Sequence, residues 1–184
     1  MITLASSSPR RKELLLRLFK EVEIVHPNVD ETILDGENAR KMVLRLSRKK
    51  AESIKRDNVV LAADTTVEFD GMILGKPQNE NDAFRMLKRL SGNWHTVHTG
   101  VCIKYGDKII NFVDSTRVKF YSLDDETISA YVKTGSPLDK AGAYGVQDDM
   151  GMILVERIDG DFFTVVGLPI SRVWWSIKKM GFEC

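Results

Sequence analysis

The chain has 184 residues, a formal net charge of +1, 43% apolar residues and 29% charged ones. That length suits one domain, or one domain with two lobes, around a sizeable core. A charge so near zero argues against a nucleic-acid polymer as the main partner, since such binders carry a basic surplus, but it leaves room for a local basic pocket. Cys102 and Cys184 are the only cysteines and lie far apart, so there is neither a disulfide framework nor zinc spacing. No leader peptide and no apolar run of membrane-spanning length is visible, which makes a cytoplasmic location the default expectation.

Residues 2–5 predict a strand. Ser8 then offers an N-cap and Pro9 suits the first helical position, opening a helix over 9–20 with Leu14, Leu15, Leu18 and Phe19 at helical spacing. Arg10 and Arg11 fall in its first turn, at the positive end of the dipole, where each costs roughly 0.3–1 kcal/mol. Either both point into water, or a serine-rich loop, a helix N-terminus and two arginines together receive a polyanion such as a phosphate chain.

Residues 22–26 predict a strand and 37–56 a long helix. Its apolar stripe of Val43, Leu46 and Ile54 also contains Lys50. Such a lysine either snorkels to water along its stem or directs its charge into an anion pocket. Between these elements, Glu31 reads as a loop acid and gains interest only as a metal ligand beside a second carboxylate. Residues 59–63 read as a buried strand directly followed by Asp64, where a carboxylate can bind a metal or take a proton from water.

Asp70-Gly71 signals a hairpin. Gly75-Lys76-Pro77 is a turn in which proline holds the chain beside a lysine. A helix is expected over 80–90, long strands over 94–105 and 108–121, and a capped helix from Ser122-Leu123-Asp124-Asp125 to about Lys133. The loop from Asp139 to Gln147 is rich in small residues. Its glycines permit close backbone approach, and the Gln147 amide could read a base edge. Residues 152–158 and 162–167 are expected to pair as strands around Asp159-Gly160, with a last helix from Pro169 to Met180. His95 and His98 fall on opposite faces of a strand and make a poor metal pair. Asp148 and Asp149 read as solvated turn acids, and Trp174 and Trp175 as packing or interface residues. The long antiparallel pair predicts a mixed α/β fold, a mixed sheet flanked by helices rather than a plain doubly wound one.

In combination these pieces resemble the Maf family of nucleoside triphosphate pyrophosphatases. The likeness runs through Ala5-Ser6-Ser7-Ser8-Pro9-Arg10-Arg11, Val29-Asp30-Glu31, Lys50-Ala51, Ala63-Asp64-Thr65, Gly75-Lys76-Pro77, Arg89-Leu90-Ser91-Gly92, Asp139-Lys140-Ala141-Gly142-Ala143-Tyr144-Gly145 and Val166-Gly167-Leu168-Pro169. It implies one domain with two lobes around a cleft, in the fold shared with inosine triphosphate pyrophosphatases. It also implies hydrolysis of a nucleoside triphosphate to the monophosphate and pyrophosphate. Thr65 and the stretch ending in Gln147 look like the branch acting on dTTP and UTP, with the 7-methyl-GTP branch as the alternative. The implied roles are Ser6, Arg10, Arg11, Lys50 and Lys76 for the triphosphate, Glu31 and Asp64 for magnesium or manganese, and Asp64 as proton acceptor. Arg10, Thr65 and Gln147 are the implied specificity residues. Two departures bear on base preference: Asp148 stands where many members have glycine, and Asp161-Phe162-Phe163-Thr164 replaces the usual stretch before Gly-Leu-Pro. A homodimer is common in similar proteins. The reading from another class is a nucleotide-responsive regulator of cell division that turns over slowly.

Overall fold

The computed structural model describes residues 1–182; Cys184 lies outside them. Ile2–Ala5 (β1) is buried throughout and pairs in parallel with Val22–Val25 (β2) on one side and with the start of Val59–Phe69 (β3) on the other. Met72–Leu74 (β4) returns antiparallel on β3 through a hairpin whose Asp70 and Gly71 both have positive φ, as the Asp-Gly signal predicts. Trp94–Tyr105 (β5), Lys108–Phe120 (β6) and Val155–Asp159 (β7) complete a seven-stranded mixed sheet of order β2-β1-β3-β5-β6-β7, with β4 beside β3.

The chain divides into two compact units. The first comprises Met1–Thr65, Thr99–Asp114 and the described residues from Gly167 onward; the second comprises Thr66–His98 and Ser115–Val166. The chain therefore changes unit inside β3, β5 and β6.

In the first unit, Pro9–Leu16 (α1) starts where expected but stops four residues early. Leu18 N and Phe19 N both return to Leu15 O, a turn that lets Ile2 N reach Glu21 O and brings β2 alongside β1. Phe19 is buried by this turn and Leu18 is left exposed, contrary to the predicted stripe. Ala39–Glu52 (α2) is capped by Asn38, whose side chain accepts from Lys41 N at 2.9 Å. Its backbone lies directly on β5 at Gly100, where an added Cβ would stand 2.1 Å from Val43 O. The small residues Ala5, Ala51, Ala62 and Cys102, with Val60 and Ile54, form the core beneath it. Ile170–Lys179 (α6) closes this unit.

In the second unit, Glu80–Leu90 (α3) and Asp125–Lys133 (α4) are capped by Asn79 and Asp124. The segment after β7 corrects the sequence reading. Residues 155–159 pair antiparallel with β6, but Phe162–Val166 is a short helix (α5), not a partner strand. The Asp161 carboxylate accepts from Phe163 N and Thr164 N, each at 3.2 Å, and this local cap outcompetes a strand ladder.

Candidate active site

Parallel β1 and β3 begin in register, Ile2 with Val59, yet β1 ends at Ala5 opposite Ala62. Asp64 and Thr65 therefore extend past the carboxyl end of β1. Asp64 lies inside its strand: β3 runs on to Phe69, in keeping with the strand character of Thr65-Thr66-Val67. Alternation along β3 puts Asp64 on the face of Val60 and Ala62, under α2, and Thr65 on the other.

On the first face the close approach at Gly100 seats α2 so that Lys50, two turns past Val43, meets Asp64. Lys50 Nζ lies 2.7 Å from Asp64 Oδ1 and 2.9 Å from Glu31 Oε1. Lys50 and Asp64 are both buried, so the lysine does not snorkel. Glu31 is more open, and its loop is tied to α2: Lys49 Nζ donates to Asp30 O at 2.9 Å and Arg45 Nη2 to Thr32 O at 3.0 Å. Asp30 in turn accepts from Thr32 N and Oγ1, which holds its own carboxyl below the usual range.

On the second face Arg11 makes three hydrogen bonds. Its Nε donates to Gly167 O at 2.8 Å, Nη1 to Ser6 Oγ at 3.1 Å and Nη2 to Thr65 Oγ1 at 2.9 Å. Burial pushes the guanidinium down to about 10, and neighbouring Arg10 adds to this, while Asp64 and Glu31 oppose it. Arg11 therefore does not point freely into water; it pins the Ser6 loop, β3 and the turn before α6 together. Ser6 Oγ accepts from Arg11 and from Ser8 N, which leaves its O–H proton to donate. Thr65 Oγ1 is also 2.9 Å from the fully buried Thr99 Oγ1, a partner the sequence did not flag. Arg10 is half-buried on the first turn of α1.

The first unit thus brings together Ser6, Arg11, Thr65, Glu31, Lys50 and Asp64. Lys76 and Gln147 belong to the second unit. There Lys76 is exposed beside the buried Pro77, and Gly142 N donates to Gly75 O at 3.0 Å, joining the lysine turn to the loop that carries Gln147. Asp148 is no solvated turn acid: its Oδ2 accepts from Tyr131 Oη at 3.0 Å and Ser136 Oγ at 2.6 Å, and lies 3.2 Å from the buried Lys140 Nζ. The sequence reading gave Lys140 no role of its own and took Asp148 for a turn acid, because nothing local shows that the two side chains meet.

Among the described residues no group of three or more His, Cys, Asp or Glu side chains could hold a metal by itself. Glu31 and Asp64 do offer hard oxygen donors to one shared cation, Lys50, and that donor set suits a magnesium-like ion completing its shell with water and phosphate oxygens. His95 and His98 have separate partners. His95 Nε2 is 2.8 Å from Tyr144 Oη, and burial drives the ring down to about 3, so it is neutral. His98 Nδ1 is 2.8 Å from Ser115 Oγ. Trp174 packs on Phe19, whereas Trp175 is 62% exposed. No helix of the described residues is long and apolar enough to cross a membrane.

A family model described as Maf-like protein matches residues 1–180. The dTTP/UTP pyrophosphatase of Thermosipho africanus (strain TCF52B) is 54% identical over 173 residues, covering 94% of this chain and 90% of that protein. That of Thermosipho melanesiensis is 51% identical over 173 residues, covering 94% of each. That of Thermococcus gammatolerans is 44% identical over 185 residues, covering 100% of this chain and 98% of that protein. Among solved structures, the Staphylococcus aureus Ham1 protein aligns with a TM-score of 0.46 at 14% identity, over 66% of this chain and 72% of that one. With nearly its whole length matched, and with relatives this similar, the chain belongs to the Maf family.

Proposed function

We propose that this protein is a nucleoside triphosphate pyrophosphatase that hydrolyses dTTP and UTP to the monophosphate and pyrophosphate. The observation that carries the reading is the buried Lys50 ammonium held between Asp64 and Glu31, past the end of β1 and next to the arginine-pinned Ser6 loop. The names of the relatives, at 44 to 54% identity, support the substrate class.

In this mechanism water attacks the α-phosphorus and pyrophosphate leaves. Asp64 accepts the proton of the attacking water. Lys50, Arg10 and Lys76 balance the negative charge of the triphosphate, and the Ser6 hydroxyl donates to it. Arg11, spending its donors on Ser6, Thr65 and Gly167, orders the loop as much as it supplies charge. Glu31 and Asp64 would hold a magnesium or manganese ion, which when bound supplies charge neutralisation at the phosphate oxygens. Arg10, Thr65 and Gln147 set base preference.

The test is pyrophosphate release from dTTP, UTP, CTP, 7-methyl-GTP, dITP and the standard purine triphosphates, with and without magnesium or manganese. Metal-dependent turnover that is strongest on dTTP and UTP supports the proposal. Turnover of 7-methyl-GTP instead moves the protein to that branch. Binding without turnover of any triphosphate overturns the enzyme reading in favour of a nucleotide-responsive regulator.

A further inference from the structure

The donors around Asp148 crowd one of its two oxygens. Tyr131 Oη, Ser136 Oγ and Lys140 Nζ all converge on Oδ2, and Tyr131 Oη also accepts from Gly145 N at 3.0 Å. The loop is built around this carboxylate. A Cβ on Gly145 would stand 2.6 Å from Asp148 Oδ2, so only glycine leaves it room. Asp148 N donates to Gly145 O, and Asp148 O accepts from Met152 N.

The other oxygen, Oδ1, faces the neighbouring amide: Gln147 Nε2 lies 3.5 Å from it. Gln147 Oε1 is shielded from solvent and has no hydrogen-bond partner among the described residues. An acceptor buried unpaired carries a desolvation cost that a ligand donor relieves. Gln147 as a whole is only half-buried, so the residue lies close to the surface.

We propose that Asp148 is a positioning residue that fixes the Gln147 amide with its nitrogen turned toward the carboxylate and its oxygen turned toward the base, so that the site selects the N3–H of a thymine or uracil ring. This rests on the reading of Gln147 as a base-contacting residue. The discrimination follows from donor polarity. Uracil and thymine present a donor at N3, and cytosine presents an acceptor there, which would oppose Oε1 lone pair to lone pair. A site built to pair one hydrogen-bonding group rejects the analogue that lacks it. Asp148 acts only through Gln147 and touches no reacting atom.

The deciding variant is Asp148→Asn, with kcat/KM measured on UTP, dTTP and CTP. Three donors keep the asparagine carbonyl in the place of Oδ2, so its NH2 takes the place of Oδ1. That NH2 faces Gln147 Nε2 donor to donor, and the glutamine amide turns over to present its own NH2 to the base. The expected result is a UTP-to-CTP ratio lowered at least about tenfold, with dTTP falling alongside UTP and CTP turnover held or raised. Gln147→Ala is the control for the underlying reading and should also collapse the ratio. An equal loss on UTP and CTP in Asp148→Asn overturns the proposal, because a merely structural residue does that. An unchanged ratio in Asp148→Asn, with the ratio lost in Gln147→Ala, overturns the Asp148 assignment alone. An unchanged ratio in Gln147→Ala overturns the base-contact reading and this proposal with it, while pyrophosphate release itself still stands. Should Asp148→Asn fail to fold, Tyr131→Phe removes one donor from Oδ2 and leaves Oδ1 untouched. Its ratio should fall at least about threefold, and an unchanged ratio overturns the proposal.

Discussion

Lys50 Nζ and Asp64 Oδ1 lie 2.7 Å apart with both side chains buried, one from α2 and one from β3. A buried pair of this kind gives modest net stability while intact, because desolvation offsets most of the attraction. Breaking it from the lysine side is expensive, because Asp64 is then left buried without its cation, whereas Lys50 keeps Glu31 if Asp64 is neutralised. The pair therefore reads as a site held in place by the fold rather than as a strut of it.

Replacing Asp64 by asparagine keeps the shape and removes the charge. Pyrophosphate release should fall at least about 100-fold, the low end for losing a general base. Lys50 retains Glu31 at 2.9 Å, so the thermal midpoint should move little compared with the rate. Near-normal turnover would remove Asp64 from the chemistry.

Lys50→Met should be costly in a different way. It leaves the Asp64 carboxylate buried without its partner, a loss of about 3–5 kcal/mol by denaturant unfolding. Adding Asp64→Asn to Lys50→Met should restore most of that stability and none of the activity. If the double variant is no more stable than Lys50→Met, the two residues are not energetically coupled.

Gly100 tests the seating of α2. A methyl group there meets the Val43 carbonyl at 2.1 Å, and neither backbone can yield cheaply. Gly100→Ala should cost about 1–3 kcal/mol. Because Lys50 rides on the same helix, turnover measured at a temperature where the variant is fully folded should fall as well. Retained activity would mean the register of α2 is not what aligns Lys50.

The neutral His95 makes the fold acid-sensitive. Its folded pKa, about 3, lies below its ordinary value of 6.5, so the unfolded chain binds this proton first as pH falls. This contribution to stability is fully present above pH 6.5 and is lost going down toward about 3, at about 1.4 kcal/mol per pH unit. His95→Leu should flatten that part of the curve in denaturant titrations at pH 4 to 6.5. An unaltered slope would mean another group carries the acid sensitivity.

Much of the fold was legible because its signals are local. Ser8 with Pro9 and Asp70-Gly71 each satisfy or bend the backbone within a few residues, and α1 and the β3–β4 hairpin begin where those residues say, whereas α2 starts at Ala39 rather than at 37 and α4 starts after Asp124 rather than after Ser122. The misreading at 162–166 came from the same scale: the apolar run suggested a strand, but the Asp161 cap decided for a helix. The end of α1 was misjudged because the turn at Leu15 answers to the pairing of β1 with β2, which periodicity does not contain.

What the sequence determined by itself was the mixed α/β class, the start of most elements and the set of charged residues worth watching, Lys50 on its apolar stripe among them. The tertiary structure alone decided which of these charges meet. Lys50 reaches Asp64 because Gly100 lets α2 touch β5 and because β3 outruns β1. Arg11 is a clasp rather than a free cation because Gly167, 156 positions away in the chain, supplies its acceptor. Asp148 changes from a turn acid to an organising group because Tyr131, Ser136 and Lys140 converge on one of its oxygens. Hydrogen bonds and ion pairs act over about 3 Å in space, and separation along the chain says little about which groups come that close.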